Sequence, residues 1–142
     1  MRKSNEAAMR RRVCKALKPL HAVPIENICQ TGTPDIALVG AWIECKRIKE
    51  WPKREETKVN FRHFTPKQKE WIEQHISCGG IVYVLLQIDK DWYLLDGSMA
   101  VENLGNLSRE EMEFHSVWIS KSKFDGRDLR EFLVSDINRR KT

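Results

Sequence analysis

The chain has 142 residues, 41% of them hydrophobic, and a net charge of +5 with a pI near 9.1. That length and apolar content read as one globular domain, 1–142, and exclude general disorder. No long apolar run, leader or lipidation motif accompanies the charge, so an intracellular protein with no membrane role is expected, and its basic balance favours polyanions. Cys14, Cys29, Cys45 and Cys78 are widely separated with no Cys-x-x-Cys pair, so reduced thiols are expected rather than a zinc knuckle. His21, His63, His75 and His115 show no ligand spacing either.

In chain order, the first predicted element is an amphipathic helix from Asn5 to Leu20. Met9, Val13, Ala16, Leu17 and Leu20 mark its apolar face, and Ser4 is the expected N-cap. Glu6 falls along that face, where a buried acid needs a partner or a metal. Acids in a first turn also complement the helix dipole, so a purely electrostatic role is open. A strand-like run from Ala22 to Cys29 follows and contains a competing acid, Glu26.

Next come Gly32-Thr33-Pro34-Asp35 and then Ile36-Ala37-Leu38-Val39-Gly40-Ala41-Trp42-Ile43-Glu44-Cys45-Lys46. Two short β-prone runs with a glycine between them predict a hairpin. A turn on Val39-Gly40 sets Asp35 opposite Glu44, with Cβ atoms roughly 5 Å apart. Side chains alternate along a strand, so Lys46 shares the face of Glu44 while Cys45 points the other way. Two carboxylates at contact distance repel unless a cation joins them, and oxygen donors suit a hard ion such as Mg²⁺. A surface hairpin with scattered charges would give the same spacing.

Arg47 to Thr65 is rich in charge and carries Trp51, Phe61 and Phe64. Its basic groups are candidates for phosphate contacts and its aromatics for base stacking: Arg47, Lys49, Lys53, Arg54, Lys58, Arg62 and His63, with Lys67 just beyond. Glu50, Glu55 and Glu56 dilute that charge, and a solvated loop with a few apolar anchors is the alternative. Thr65-Pro66-Lys67-Gln68 has the pattern of a capping box and opens a helix with Gln68, Trp71, Ile72 and His75 on one face. Gly79-Gly80 ends it. Ile81 to Ile88 reads as a buried strand, paired through Asp89-Lys90 with Asp91 to Asp96. A short helix at Ser98 to Asn103, a helix capped by Ser108 and Glu111, an edge strand at Val117 to Ser120 and a terminal helix at Asp125 to Arg140 complete the prediction.

The order P-D, eight residues, E-x-K resembles the core of the PD-(D/E)XK nuclease superfamily, most of all its small VRR-NUC type domains and then the Holliday junction resolvases. The likeness covers about residues 4–96 and includes the matches at Glu6 and Gln68; the segment from Arg47 to Thr65 is longer than the compact family pattern. It implies an α/β, restriction-endonuclease-like (resolvase-like) fold with a central mixed sheet flanked by helices. It also implies cleavage of DNA with Mg²⁺, Mn²⁺ substituting, to leave a 5′ phosphate. By the same likeness Asp35, Glu44 and the backbone carbonyl of Cys45 bind metal, Glu6 completes the site, Lys46 activates water and Gln68 lies close by. A small domain with one site cuts both strands most simply as a homodimer. Branched DNA is the first substrate class, a specific duplex site of the homing or restriction kind the second, and a silent nucleic-acid-binding module the non-enzymatic alternative.

Overall fold

The computed structural model describes residues 2–26 and 31–141. Helix α1, Arg2–Ala16, runs into a short helical turn, Lys18–Leu20, and then β1, Val23–Pro24. Strands β2, Ile36–Leu38, and β3, Ala41–Ile48, precede α2, Pro66–Ser77. Strands β4, Val82–Ile88, and β5, Asp91–Asp96, are followed by α3, Gly97–Asn103, and α4, Arg109–His115. A three-residue strand β6, Trp118–Ser120, and helix α5, Gly126–Lys141, close the chain.

The six strands form one mixed sheet in chain order, β1-β2-β3-β4-β5-β6. Only β3 and β4 run parallel, because α2 carries the chain back over the sheet between them; every other pair is antiparallel. β4 is buried on both faces, which explains its unbroken apolar sequence. Tyr83 and Leu85 join Met9, Val13 and Leu17 of α1 and Leu129, Leu133 and Ile137 of α5 in one core. Val82, Val84, Leu86 and Ile88 join Ile72 of α2, Ala100 of α3 and Met112 of α4 in a second core on the opposite face. The result is a helix–sheet–helix α/β architecture, and the residues after Asp96 are integral to it. β6 widens the sheet, α3 and α4 cover one face, and α5 lies beside α1 on the other.

Local sequence accounts for most boundaries. Both halves of the capping boxes form, Thr65 with Gln68 at α2 and Ser108 with Glu111 at α4. Three sequence expectations change. Helix α1 begins at Arg2 and ends at Ala16, so Ser4 lies inside it rather than ahead of it. Of the run from Ala22 to Cys29, the described part to Glu26 contains the two-residue β1, and the part beyond Glu26, with Cys29, falls outside the described residues. The aromatics between β3 and α2 are anchors of an otherwise solvated loop rather than base-stacking groups: Phe61 and Phe64 are buried with Val59 in the second core, while Lys49, Lys53, Arg54, Lys58 and Arg62 are exposed. Trp51 packs against Tyr93, donates its indole N–H to Asp91 and carries the Arg109 guanidinium 4.4 Å above its ring. Phe61 and Phe64 are thus spent on folding, and Trp51 is half-buried with a cation over its ring.

Candidate active site

The hairpin forms in the expected register: Ile36 pairs with Ile43, Ala37 with Trp42 and Leu38 with Ala41. Gly40 supplies the turn's left-handed residue at φ +90°. Extending this ladder by one pair puts Asp35 opposite Glu44, and by two puts Pro34 opposite Cys45. Proline has no N–H, so the Cys45 carbonyl loses the donor that a ladder would give it there. The Cys45 N–H is taken instead by Asp35 Oδ2 at 2.8 Å. In a strand the N–H and C=O of one residue leave on the same side, so the Cys45 carbonyl faces the end of β2, where Asp35 stands.

Glu44 and Lys46 share the face of β3 that meets the second core, as strand alternation requires. Both are almost fully buried, at 1% and 3% exposure. Lys46 Nζ lies 3.0 Å from Glu44 Oε2 and donates to the His63 carbonyl at 3.0 Å. Glu44 Oε1 is buried and receives no hydrogen bond among the described residues. Burial pushes the Glu44 carboxyl up, the Asp35 charge adds to it, and Lys46 offsets them only in part, leaving the group at about 8. The adjacent Asp35 carboxyl can bond with Glu44 only if a proton stays between them. Asp35 is raised as well: burial and the nearby Glu6 outweigh the Cys45 N–H, Arg10 and Lys46. Its Oδ1 has the Arg10 guanidinium 3.9 Å away.

Glu6 reaches this end of the sheet from α1. Its Oε2 sits 2.9 Å from His63 Nε2, a close contact without the alignment of a hydrogen bond by strict geometry. Burial raises the Glu6 carboxyl, but His63, Lys46 and Arg10 together outweigh it and hold the group below the usual carboxylate range. Glu26, the competing acid, is exposed just beyond β1. Gln68 gives its side-chain oxygen to the Thr65 N–H at 3.0 Å, as part of its cap. The start of α2 still touches the acidic loop: a Cβ on Gly32 would lie 2.5 Å from the Lys67 carbonyl oxygen.

The basic candidates separate. Arg47 follows the side of Cys45 and leaves on the face away from Glu44 and Lys46. Lys58 pairs with Glu111 at 2.8 Å. Lys49, Lys53, Arg54, Arg62 and Lys67 are exposed, and His63 belongs to the site itself. Sequence reasoning did not single out Arg10 or a specific role for Pro34. The signal for Arg10 was its position one helical turn after Glu6, on the same face.

Among the described residues, no three His, Cys, Asp or Glu side chains gather round one point. The set on offer is two carboxylates with a backbone carbonyl as third oxygen. It suits Mg²⁺ chemically: all donors are hard oxygens, and the unsatisfied Glu44 Oε1 and the mutually destabilised acids are what a cation would relieve. No protein-family model matches the sequence, and no curated protein matches it.

Proposed function

We propose that this protein is a metal-dependent endonuclease with a resolvase-like core, acting on DNA. The observation that carries the reading is the buried Glu44 carboxylate, with one oxygen unsatisfied, held between Asp35 and Lys46 at the end of a two-strand ladder. A protein core gains nothing from two acids in contact, because each makes the other's charge more costly. Binding to phosphate is not served either, since acids repel it.

Asp35, Glu44 and the Cys45 carbonyl are the residues that would hold Mg²⁺, with Mn²⁺ as substitute and Glu6 at the rim. Bound there, the ion would polarise a phosphoryl oxygen and lower the pKa of a coordinated water. Lys46 has three N–H donors, of which one points to Glu44 and one to the His63 carbonyl. The third, on an ammonium 5.9 Å from the Phe64 ring centre, would orient a water or steady charge on the phosphate. The water oxygen bonds to phosphorus and gives up a proton to solvent, the bond to the 3′ oxygen breaks in line, that oxygen leaves as a hydroxyl with a proton from solvent, and the 5′ phosphate stays with the downstream strand.

Branched DNA is the substrate class we favour, because Phe61 and Phe64 of the long segment before α2 are buried and cannot wedge into a duplex site, while Lys49, Lys53, Arg54 and Arg62 remain exposed there for phosphate. A homodimer would bring a second site to the second strand. Competition between a four-way junction and genomic fragments tests the substrate. Preference for the junction supports the proposal, and a discrete cut in linear DNA assigns a site-specific enzyme. Tight binding without cutting in Mg²⁺ or Mn²⁺ would leave a binding module. Sedimentation of the free and DNA-bound protein tests the dimer.

A further inference from the structure

The turn between Phe61 and Phe64 is fixed at both ends. Both rings are buried, at 4% and 5% exposure, and the Phe64 N–H donates to the Phe61 carbonyl at 3.0 Å. Between them, His63 faces two catalytic candidates that arrive from different elements. Its carbonyl accepts from Lys46 Nζ on β3 at 3.0 Å, and its Nε2 lies 2.9 Å from Glu6 Oε2 on α1. We infer that His63 is a positioning residue, and that the turn carrying it clasps Lys46 through its backbone and Glu6 through its imidazole. The inference rests on the nuclease reading.

A lysine ammonium sits on a flexible four-carbon stem, and a glutamate on a half-exposed helix turn has several rotamers. Neither is held in one direction without a second anchor. Lys46 takes its two anchors from Glu44 and the His63 carbonyl, which leaves its remaining donor pointing one way. Glu6 takes its anchor from the imidazole. The turn from Phe61 to Phe64 therefore closes the catalytic end, and His63, though its side chain is 40% exposed, differs from Arg62 in having its Nε2 buried against Glu6.

Kinetics separates the two roles. A phosphate contact is uniform binding: losing it raises KM, leaves kcat, and lowers the salt slope by about one. A lost positioning contact lowers kcat and leaves KM. The test compares His63→Ala, His63→Gln, Glu6→Gln and the double variant His63→Ala/Glu6→Gln in single turnover, with Arg62→Ala as the surface comparison. Thermal unfolding is recorded for the same cycle.

The clasp predicts a fall in kcat of about tenfold or more for His63→Ala with KM unchanged, and recovery in His63→Gln, whose amide can place an N–H beside Glu6. It also predicts a double variant no slower than Glu6→Gln alone, and non-additive melting temperatures. A rise in KM at constant kcat with a shallower salt slope, or additive effects in the cycle, would overturn it. Wild-type protein that cleaves neither junction nor duplex would defeat the nuclease reading; the melting cycle then still decides whether Glu6 and His63 are coupled.

Discussion

Asp35 accepts the backbone N–H of Cys45 through Oδ2, at the point where the β2–β3 ladder stops. One side chain thus replaces the main-chain acceptor of the next rung, while Pro34 removes the donor that would have occupied the Cys45 carbonyl. A carboxylate and a main-chain carbonyl are left side by side at the strand end, next to Glu44. The juxtaposition follows from the order proline then aspartate in a hairpin of this register.

Replacing Asp35 by Asn keeps an oxygen for the Cys45 N–H and removes one charge from a destabilised pair. The apo protein should melt no lower than wild type at neutral pH, while stabilisation by Mg²⁺ should vanish. Melting curves with and without the ion check this; a large loss of apo stability would contradict it.

Glu44 gives a pH dependence whose sign is fixed. Its folded-state pKa is raised from 4.5 to about 8, so between those values the folded protein holds a proton that the unfolded chain has released. Stability from this group is present in full below pH 4.5 and is lost as pH rises toward 8. Stability should decline across that window and the decline should flatten in Glu44→Gln. Mg²⁺ binding near pH 7 should release a proton, measured by calorimetry in two buffers of different ionisation enthalpy.

Lys46 is buried against Glu44 and the His63 carbonyl, so Lys46→Ala should cost about 1–3 kcal/mol, the scale for leaving buried polar groups without their donor. Pairing Lys46→Met with Glu44→Gln should recover much of that loss without restoring catalysis. Urea unfolding of the single and double variants decides; additive losses would show that the two groups are not coupled.

Gly32 has φ +92° and no room for a methyl group beside the Lys67 carbonyl. Gly32→Ala should destabilise by about 1–3 kcal/mol and shift the loop that carries Asp35, lowering metal affinity along with stability. Denaturant unfolding and a Mg²⁺ titration read both effects. Unchanged values would mean that the loop does not rest on α2.

The hairpin register, the strands β4 and β5 and both capping boxes were legible in the sequence because each is set by neighbours within a few residues. Val39-Gly40 fixes the turn, and Thr65 and Ser108 satisfy their own helix ends. The same local logic left Gln68 ambiguous, since a capping oxygen and a catalytic amide leave one sequence pattern. What stayed hidden is long-range. Nothing near His63 announces that Glu6 will meet it from α1. The charges from Lys49 to Lys58 left base stacking and apolar anchoring both open for Phe61 and Phe64, and only their packing in the second core decides for anchoring. Strand alternation would also have separated Arg47 from the acids had it been carried one residue further.

The most direct measurement is cleavage of a labelled four-way junction and its matched linear duplex by wild-type and Asp35→Ala protein, each with Mg²⁺ or with EDTA. The account predicts nicking by the wild type in Mg²⁺ alone, with 5′ phosphate ends, and none by the variant at equal folded fraction. Cutting that survives EDTA, or full activity in Asp35→Ala, would contradict it.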